Sequence, residues 1–407
     1  MHGCIDHKDG GQSMESTSGR KAGLLFVALT LVVSLMPHHF AWADEADGKV
    51  ALEEEAYLTD DIVIKILTIA RIYGDERYMT SREVALYERD ISTEQTLIIA
   101  SGDNNNFPDA LAASALSGAN GNAPILLTTP WALSEATRDV LERAASASKV
   151  YIIGGIPSVS AAAVAEIASI LPSAQIERIG GESRMETAEL IYSEIEPQAS
   201  KTAIIARSMD FPDSLSAAPW AAFTTSPIFL TDFSEQGLTQ GTLDALVSGG
   251  FERLIVMGSE LSVPAAVVDV ACDAAGLTDG DVVRIGGIDR VGTSLAMAAW
   301  ATSGDRDADE RLSYNNLAVT RSDNHADALA GGALQGAHGS VVLLSPTKPT
   351  DPDVLAAIMA AQDDIYEIRF LGDHNALDFE TMRDYAFAIR FDVALEKPGD
   401  MVGPLLP

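Results

Sequence analysis

The sequence predicts an α/β protein made of three copies of one parallel-sheet unit. Three observations predict it. The pattern R-I-x-G-x-x-R-x-x-T occurs three times, at spacings of 107 and then 106 residues. Short apolar runs ending in glycine alternate with Ala-rich helical stretches, the signature of βαβ units. The chain has 407 residues, 47% of them hydrophobic and 21% charged, so each copy is large enough to bury a core of its own.

The elements follow in order. Residues 1–43 read as a signal peptide: Arg20 and Lys21, the apolar run Ala22 to Met36, then Ala41-Trp42-Ala43 as the cleavage site. The apolar run is shorter than the roughly 20 residues a spanning helix needs, so no stable membrane insertion is expected after cleavage. Residues 44–60 are an acidic linker. In the first copy, 96–102 (TLIIASG) reads as a buried strand, and Asp109 opens a helix where its carboxylate suits the positive dipole end. A strand at 123–129 (APILLTT), a helix capped by Ser134, a strand at 149–155 (KVYIIGG) and an Ala-rich helix from Ser158 to Leu171 come next. Residues 174–178 lead as a short strand into the second R-I-x-G turn, and a helix follows from about Glu186. The units are expected at 61–172, 173–278 and 279–396, with a flexible tail at 397–407. The third carries an acidic insertion at 302–316.

Four blocks recur in the same order. The first holds Arg71, Arg77 and Thr80, then Arg178, Arg184 and Thr187, then Arg284, Arg290 and Thr293. The second places Asp109, Asp213 and Asp327 at a helix start. The third is Ile125-Leu126-Leu127, Ile228-Phe229-Leu230 and Val342-Leu343-Leu344. The fourth is a strand ending in Gly154, Gly258 or Gly372, always 45 residues after the aspartate.

The net charge of −32 repels nucleic acid phosphates and argues against a nucleic-acid partner. Cys272 is the one cysteine beyond the signal peptide, and its helical spacing reads as a small buried hydrophobe rather than a nucleophile. His325, His338 and His374 lack metal-ligand spacing, so neither a metal site nor a cofactor is expected. Gly154-Gly155 lacks the full dinucleotide pattern and reads as a tight turn. No G-x-S-x-G, catalytic cysteine or zinc motif is present.

These blocks, in this order and in triplicate, resemble the cell wall binding repeat type 2 family of Gram-positive surface and S-layer-associated proteins. The resemblance covers nearly all of the chain after residue 43. It implies Rossmann-like or Toprim-like repeats packed as a pseudo-threefold intramolecular trimer. It further implies a secreted protein held non-covalently at the cell wall by an anionic polymer, either teichoic-acid-like or a secondary polysaccharide. The I-L-L element (Ile125, Leu126, Leu127 and their counterparts) is the part the family links to polymer binding. The third repeat departs from the pattern: His325-Ala326 replaces Phe-Pro and Val291-Gly292 replaces Tyr-Glu, which points to a structural role there.

Two readings stand for Arg77, Arg184 and Arg290. Each is a guanidinium fork for polymer phosphate, or a structural tie to the aspartate of its own repeat. Arg71, Arg178 and Arg284 read as structural, fixing repeat to repeat, together with the three threonines. Asp109, Asp213 and Asp327 read as helix caps or arginine partners, since no catalytic partner recurs beside them. A non-enzymatic binding module is therefore expected; the alternatives are an envelope glycan or peptide hydrolase and a self-assembling structural surface protein.

Overall fold

The computed structural model describes residues 62–63, 67–104, 107–209, 211–232, 237–324, 327–389 and 394–395. The expected signal peptide, linker and tail lie outside the described residues.

Three four-stranded parallel sheets form, as the sequence predicted. The chain opens with β1 (Ile62–Val63), β2 (Thr68–Ile72) and α1 (Arg77–Leu86). The first sheet contains β3 (Thr96–Ser101), β4 (Ile125–Thr128), β5 (Lys149–Ile153) and β6 (Gln175–Ile179), linked by α2 (Phe107–Ala112), α3 (Ser114–Ala119), α4 (Glu135–Arg143) and α5 (Ala161–Ile170). After α6 (Arg184–Ile195) the second sheet repeats the plan. It has β7 (Thr202–Arg207), α7 (Phe211–Thr224), β8 (Ile228–Thr231), α8 (Gln240–Gly249), β9 (Arg253–Met257), α9 (Ala265–Ala275) and β10 (Val282–Ile285). After α10 (Arg290–Ala301) come β11 (Ser313–Arg321), α11 (Gly331–Ala337), β12 (Ser340–Ser345), α12 (Pro352–Ala360), β13 (Glu367–Leu371), α13 (Phe379–Phe387) and β14 (Ala394–Leu395).

Strand order shows how the units lock together. It is β4-β3-β5-β6 in the first sheet, β8-β7-β9-β10 in the second and β12-β11-β13-β2 in the third. The fourth strand of each sheet is thus the R-I strand that opens the next sequence repeat. For the third sheet that strand is β2, from the start of the described chain, paired Thr68↔Glu367 through Ile72↔Leu371. The ring is closed by pairing rather than by a covalent link. A short antiparallel pair, Ile62↔Leu395 and Val63↔Ala394, adds to the closure.

Helices α3, α7 and α11 meet at the pseudo-threefold axis. The residue nine positions after each block-two aspartate is Gly118, Ala222 or Gly336. A Cβ on Gly118 would lie 1.9 Å from the Ala222 carbonyl oxygen, and one on Gly336 would lie 2.5 Å from Ala222 Cβ. Only small residues let three backbones approach this closely. One buried cluster runs through all three units, including Leu116, Trp220 and Leu329; smaller clusters fill the outer side of the first and second sheets, and a fourth packs the third sheet against α1 and α11.

The acidic insertion at 302–316 is a strap onto the second unit. The fully buried Trp220 donates its indole N–H to the Glu310 carbonyl at 2.8 Å, and Arg253 pairs with the Glu310 carboxylate at 2.9 Å.

Candidate functional site

The I-L-L elements, expected from the family resemblance to meet a polymer, are strands β4, β8 and β12, and their side chains lie inside the fold. Ile125, Leu126, Leu127, Ile228, Phe229, Leu230, Val342, Leu343 and Leu344 are all buried. Their side chains alternate between the two faces of each sheet: Ile125 and Leu127 enter the shared core, while Leu126 enters the outer cluster of the first unit. Each of these strands is a sheet edge, which normally needs covering. The cover is the helix after the R-I turn: Ser81 Oγ of α1 accepts from Leu127 N at 3.1 Å, and Ser294 Oγ of α10 accepts from Leu344 N at 2.9 Å. With both faces and the free edge occupied, these side chains offer no surface to a ligand.

The R-I arginines staple the fourth strand to the loop after the third. Arg178 donates to the carbonyls of Gly154 at 2.6 Å, Gly155 at 3.0 Å and Val159 at 2.7 Å. Arg284 does the same to Gly258 at 3.1 Å and Val263 at 2.9 Å. Arg71 donates to Gly372 at 3.0 Å and also to the Leu377 carbonyl. The contacted residues are in each case the strand-ending glycine and the residue five further on. That glycine needs its freedom. Gly154, Gly258 and Gly372 have φ of 95°, 94° and 105°. A Cβ there would come within 2.5, 2.4 and 2.8 Å of Oδ2 of Asp109, Asp213 and Asp327.

The aspartates and threonines bridge units. Thr187 Oγ1 accepts from Gly181 N at 3.2 Å, and its hydroxyl is hydrogen-bonded to Asp109 of the preceding unit. Thr80 repeats this, accepting from Gly74 N at 3.2 Å and donating to Asp327 at 3.0 Å. Thr293 accepts from Gly287 N at 3.1 Å. Ser158 also donates to Asp109, at 2.9 Å. Burial pushes the Asp109 carboxyl above its ordinary pKa, opposed by the Ser158 bond, the Arg184 charge and the Thr187 bond. Burial likewise raises Asp327, against the bond from Thr80, while nearby Asp373 adds to the rise.

In two of the three motifs the second arginine acts on the aspartate of the preceding unit, where one sequence reading expected a tie within its own repeat. The charge of Arg184 acts on Asp109 and that of Arg77 on Asp327, each in the preceding sheet's unit. The cause is the offset of the fourth strand: α6 starts where β6 ends, so its first turn faces the unit that β6 completes. These arginines also cross to the next central strand. Arg77 donates to Gly102 O at 2.5 Å and Asn104 Oδ1 at 2.6 Å, Arg184 to Ser208 O at 2.8 Å, and Arg290 to Ser322 O at 3.2 Å.

Between the first and second units this arrangement leaves a cleft of about 380 Å³ at the carboxyl ends of the strands, where open α/β sheets bind ligands. Its lining includes Asp109, Ser158, Ser183, Arg184, Ser208 and Asp232. The twelve-residue α6 points its N-terminus into the cleft, and its cap, Ser183, accepts from Glu186 N. Hydroxyls, one guanidinium, a helix N-terminus and carboxylates together suit a polar ligand that carries negative charge and hydroxyl groups. Sequence reasoning missed Ser158, Ser183 and Ser208. One signal was available: serine recurs four residues after the strand-ending glycine as Ser158 and Ser262, with Ala376 in the third unit. Among the described residues no group of side chains could hold a metal ion, and no helix is long and apolar enough to cross a membrane.

Three segments, residues 71–164, 178–268 and 284–380, match the cell wall binding domain 2 family. The chain is 28% identical over 196 residues to the N-acetylmuramoyl-L-alanine amidase LytC of Bacillus subtilis, covering 48% of this chain and 37% of the amidase. It is 35% identical over 112 residues to the uncharacterized protein PH0614 of Pyrococcus horikoshii, covering 27% of this chain and 33% of that protein. In three dimensions it is similar to Cwp8 of Clostridium difficile (TM-score 0.68, 22% identity, 79% of this chain and 51% of that one). Cwp6 of the same organism gives a TM-score of 0.68 at 24% identity, covering 82% and 50%. The chain thus spans between a third and about half of the length of these relatives. Three consecutive family segments, each built on the same arginine staple, lead to one conclusion: the chain belongs to the cell wall binding domain 2 (CWB2) family.

Proposed function

We propose that the chain holds itself at the bacterial surface by binding an anionic cell-wall polymer in the clefts between its units. The observation that carries this reading is the first cleft, where Arg184 and the N-terminus of α6 meet four serine and threonine hydroxyls, Ser158, Ser183, Thr187 and Ser208. A guanidinium and a helix N-terminus both favour phosphate or carboxylate, and hydroxyls suit a glycan. Arg77 and Arg290 stand at the corresponding places in the other two junctions. A polymer that engages several junctions of one body gains avidity even where each contact is weak. The chain's negative charge slows approach of an anion, and Glu182 and Asp232 in the cleft lining add to that repulsion. Residues 1–43 act in this reading as the export signal, and the three repeats form a binding module with no catalytic task.

The test is a pull-down of the chain with host cell walls, before and after acid removal of the anionic polymer. Binding to intact walls and its loss on stripping are expected. Arg184→Gln should reduce capture while the far-UV circular dichroism stays that of the wild type. Equal capture by stripped walls would exclude the polymer as the ligand.

A further inference from the structure

We propose that Trp131, with Ile156, is a stacking platform for a sugar ring of the wall polymer where it leaves the first cleft. This rests on the polymer-binding reading above and extends it to a specific subsite and ligand chemistry.

Trp131 is 70% exposed and Ile156 is 64% exposed, whereas Trp220 is wholly buried. A large indole in water is unusual, and here its backbone is held rigidly. Thr129 Oγ1 accepts from Ala132 N at 3.1 Å and donates to Ala132 O at 2.6 Å. Thr128 Oγ1 donates to the same carbonyl at 3.1 Å. From the neighbouring loop, Ser160 N donates to Pro130 O at 2.7 Å, and Ser160 Oγ donates to Trp131 O at 2.8 Å. An exposed aromatic side chain on a fixed loop binds with little further ordering of the backbone.

Its place connects it to the cleft. Gly155, Pro157 and Ser158 line the cleft, and Ile156 sits among them. Ser160, two residues on, caps α5 and holds the Trp131 loop. One loop, 155–160, therefore carries cleft lining at Gly155, Pro157 and Ser158, exposes Ile156, and holds Trp131 through Ser160. A chain running out of the cleft over this loop has both exposed side chains within the same short stretch of surface loop.

The chemistry selects the occupant. A pyranose ring has an apolar C–H face and a rim of hydroxyls, and the electron-rich face of an indole attracts polarised C–H groups. A linear polyol phosphate has no such face. One tryptophan and one isoleucine are far smaller than the roughly 800 Å² per partner of a stable protein interface. The chain's charge of −32 disfavours nucleic-acid bases. The sequence counterparts of Trp131, four residues past the end of the I-L-L run, are Ser234 and Lys348, so neither other unit has an indole at that position.

The test is a tryptophan-fluorescence titration of the full chain with soluble polymer released from host walls, alongside Trp131→Ala and Trp131→Phe. Wild-type emission should shift on binding, and Trp131→Ala should lose that shift. Trp131→Ala should also bind about two- to tenfold more weakly, with Trp131→Phe recovering most of the affinity. Wild-type binding together with unchanged affinity in Trp131→Ala would overturn the platform and leave the cleft standing. An emission shift retained with polymer whose sugar rings have been opened by periodate would overturn it as well. Failure of the wild type to bind the polymer would overturn the cleft reading and the platform with it.

Discussion

The first and third units build their seams from the same three chemical groups placed in different positions. In the first, Lys149 and Tyr151 of β5 meet Glu194 of α6: Lys149 Nζ lies 3.1 Å from Glu194, and the Tyr151 hydroxyl donates to the same carboxylate. In the third, the matching positions hold Glu367, Arg369 and Tyr87. Arg369 donates to Glu367 at 2.8 Å and to Glu88 at 3.0 Å, and the Tyr87 hydroxyl donates to Glu367. Cation, carboxylate and tyrosine have exchanged places. The second unit follows the same logic with Arg253 and Trp300 at two of the positions, its carboxylate coming from Glu310 of the strap. Each seam needs a charge pair beside an aromatic ring, and the fold accepts any arrangement that supplies it. What differs is burial. Arg369 is 0% exposed and Glu367 6%, while Lys149 and Glu194 both remain partly in water. Burial pushes the Glu367 carboxyl up, yet the bonds and charge of Arg369 and the bonds from Tyr87 and Asn316 outweigh it and hold it below its ordinary range.

The sharpest way to break this contrast is to remove one carboxylate from each seam. Glu367→Ala takes the buried carboxylate from Arg369, leaving it only the more exposed Glu88, and should cost about 3–5 kcal/mol, whereas Glu194→Ala should cost about 1 kcal/mol or less. Urea denaturation of the two variants measures both, and equal losses would show that burial is not what separates the seams. A smaller effect is expected at the aspartates. Ser158→Ala removes a donor to the desolvated Asp109 and should cost about 1.5–3 kcal/mol, since bonds to charged groups exceed neutral ones. The third unit already carries Ala376 at that position, so Ala376→Ser, measured in the same way, should be neutral or stabilising. The smallest loss belongs to the strap. Glu310→Ala should cost below about 1 kcal/mol, because its pair with Arg253 is partly hydrated. A loss of several kcal/mol there would place the strap among the main supports of the second unit.

Much of the architecture was legible because each unit states it locally. Apolar runs such as TLIIAS and the Ala-rich stretch after Ser160 form β3 and α5, and the triplicate R-I-x-G motif marks the units. Three things were not legible, for physical reasons. The fourth-strand offset depends on pairing across about 300 residues in the case of β2 and β13, and no local pattern encodes that. The aspartates that feel Arg77 and Arg184 lie in the preceding unit for the same reason. The run Ile125-Leu126-Leu127 is apolar at every position, which is the mark of a strand buried on both faces. Its recurrence reflects the core and the edge that α1 covers, not a surface. In the cleft, Arg184 was legible as a cation in a repeated motif, but Ser208 and Asp232 enter it only through the packing of the second unit on the first.

The completion of the last sheet by the first long strand also fixes an order in time. Thr68–Ile72 emerges before any strand of the third sheet when the chain is made or exported from its N-terminus. β6 follows β5, and β10 follows β9, within a few tens of residues, so the first two sheets finish as they appear. β2 must instead wait, its edge unpaired, until Glu367–Leu371 arrives to receive it. The third sheet is therefore the one whose last strand to be made, β13, must find a partner made about 300 residues earlier.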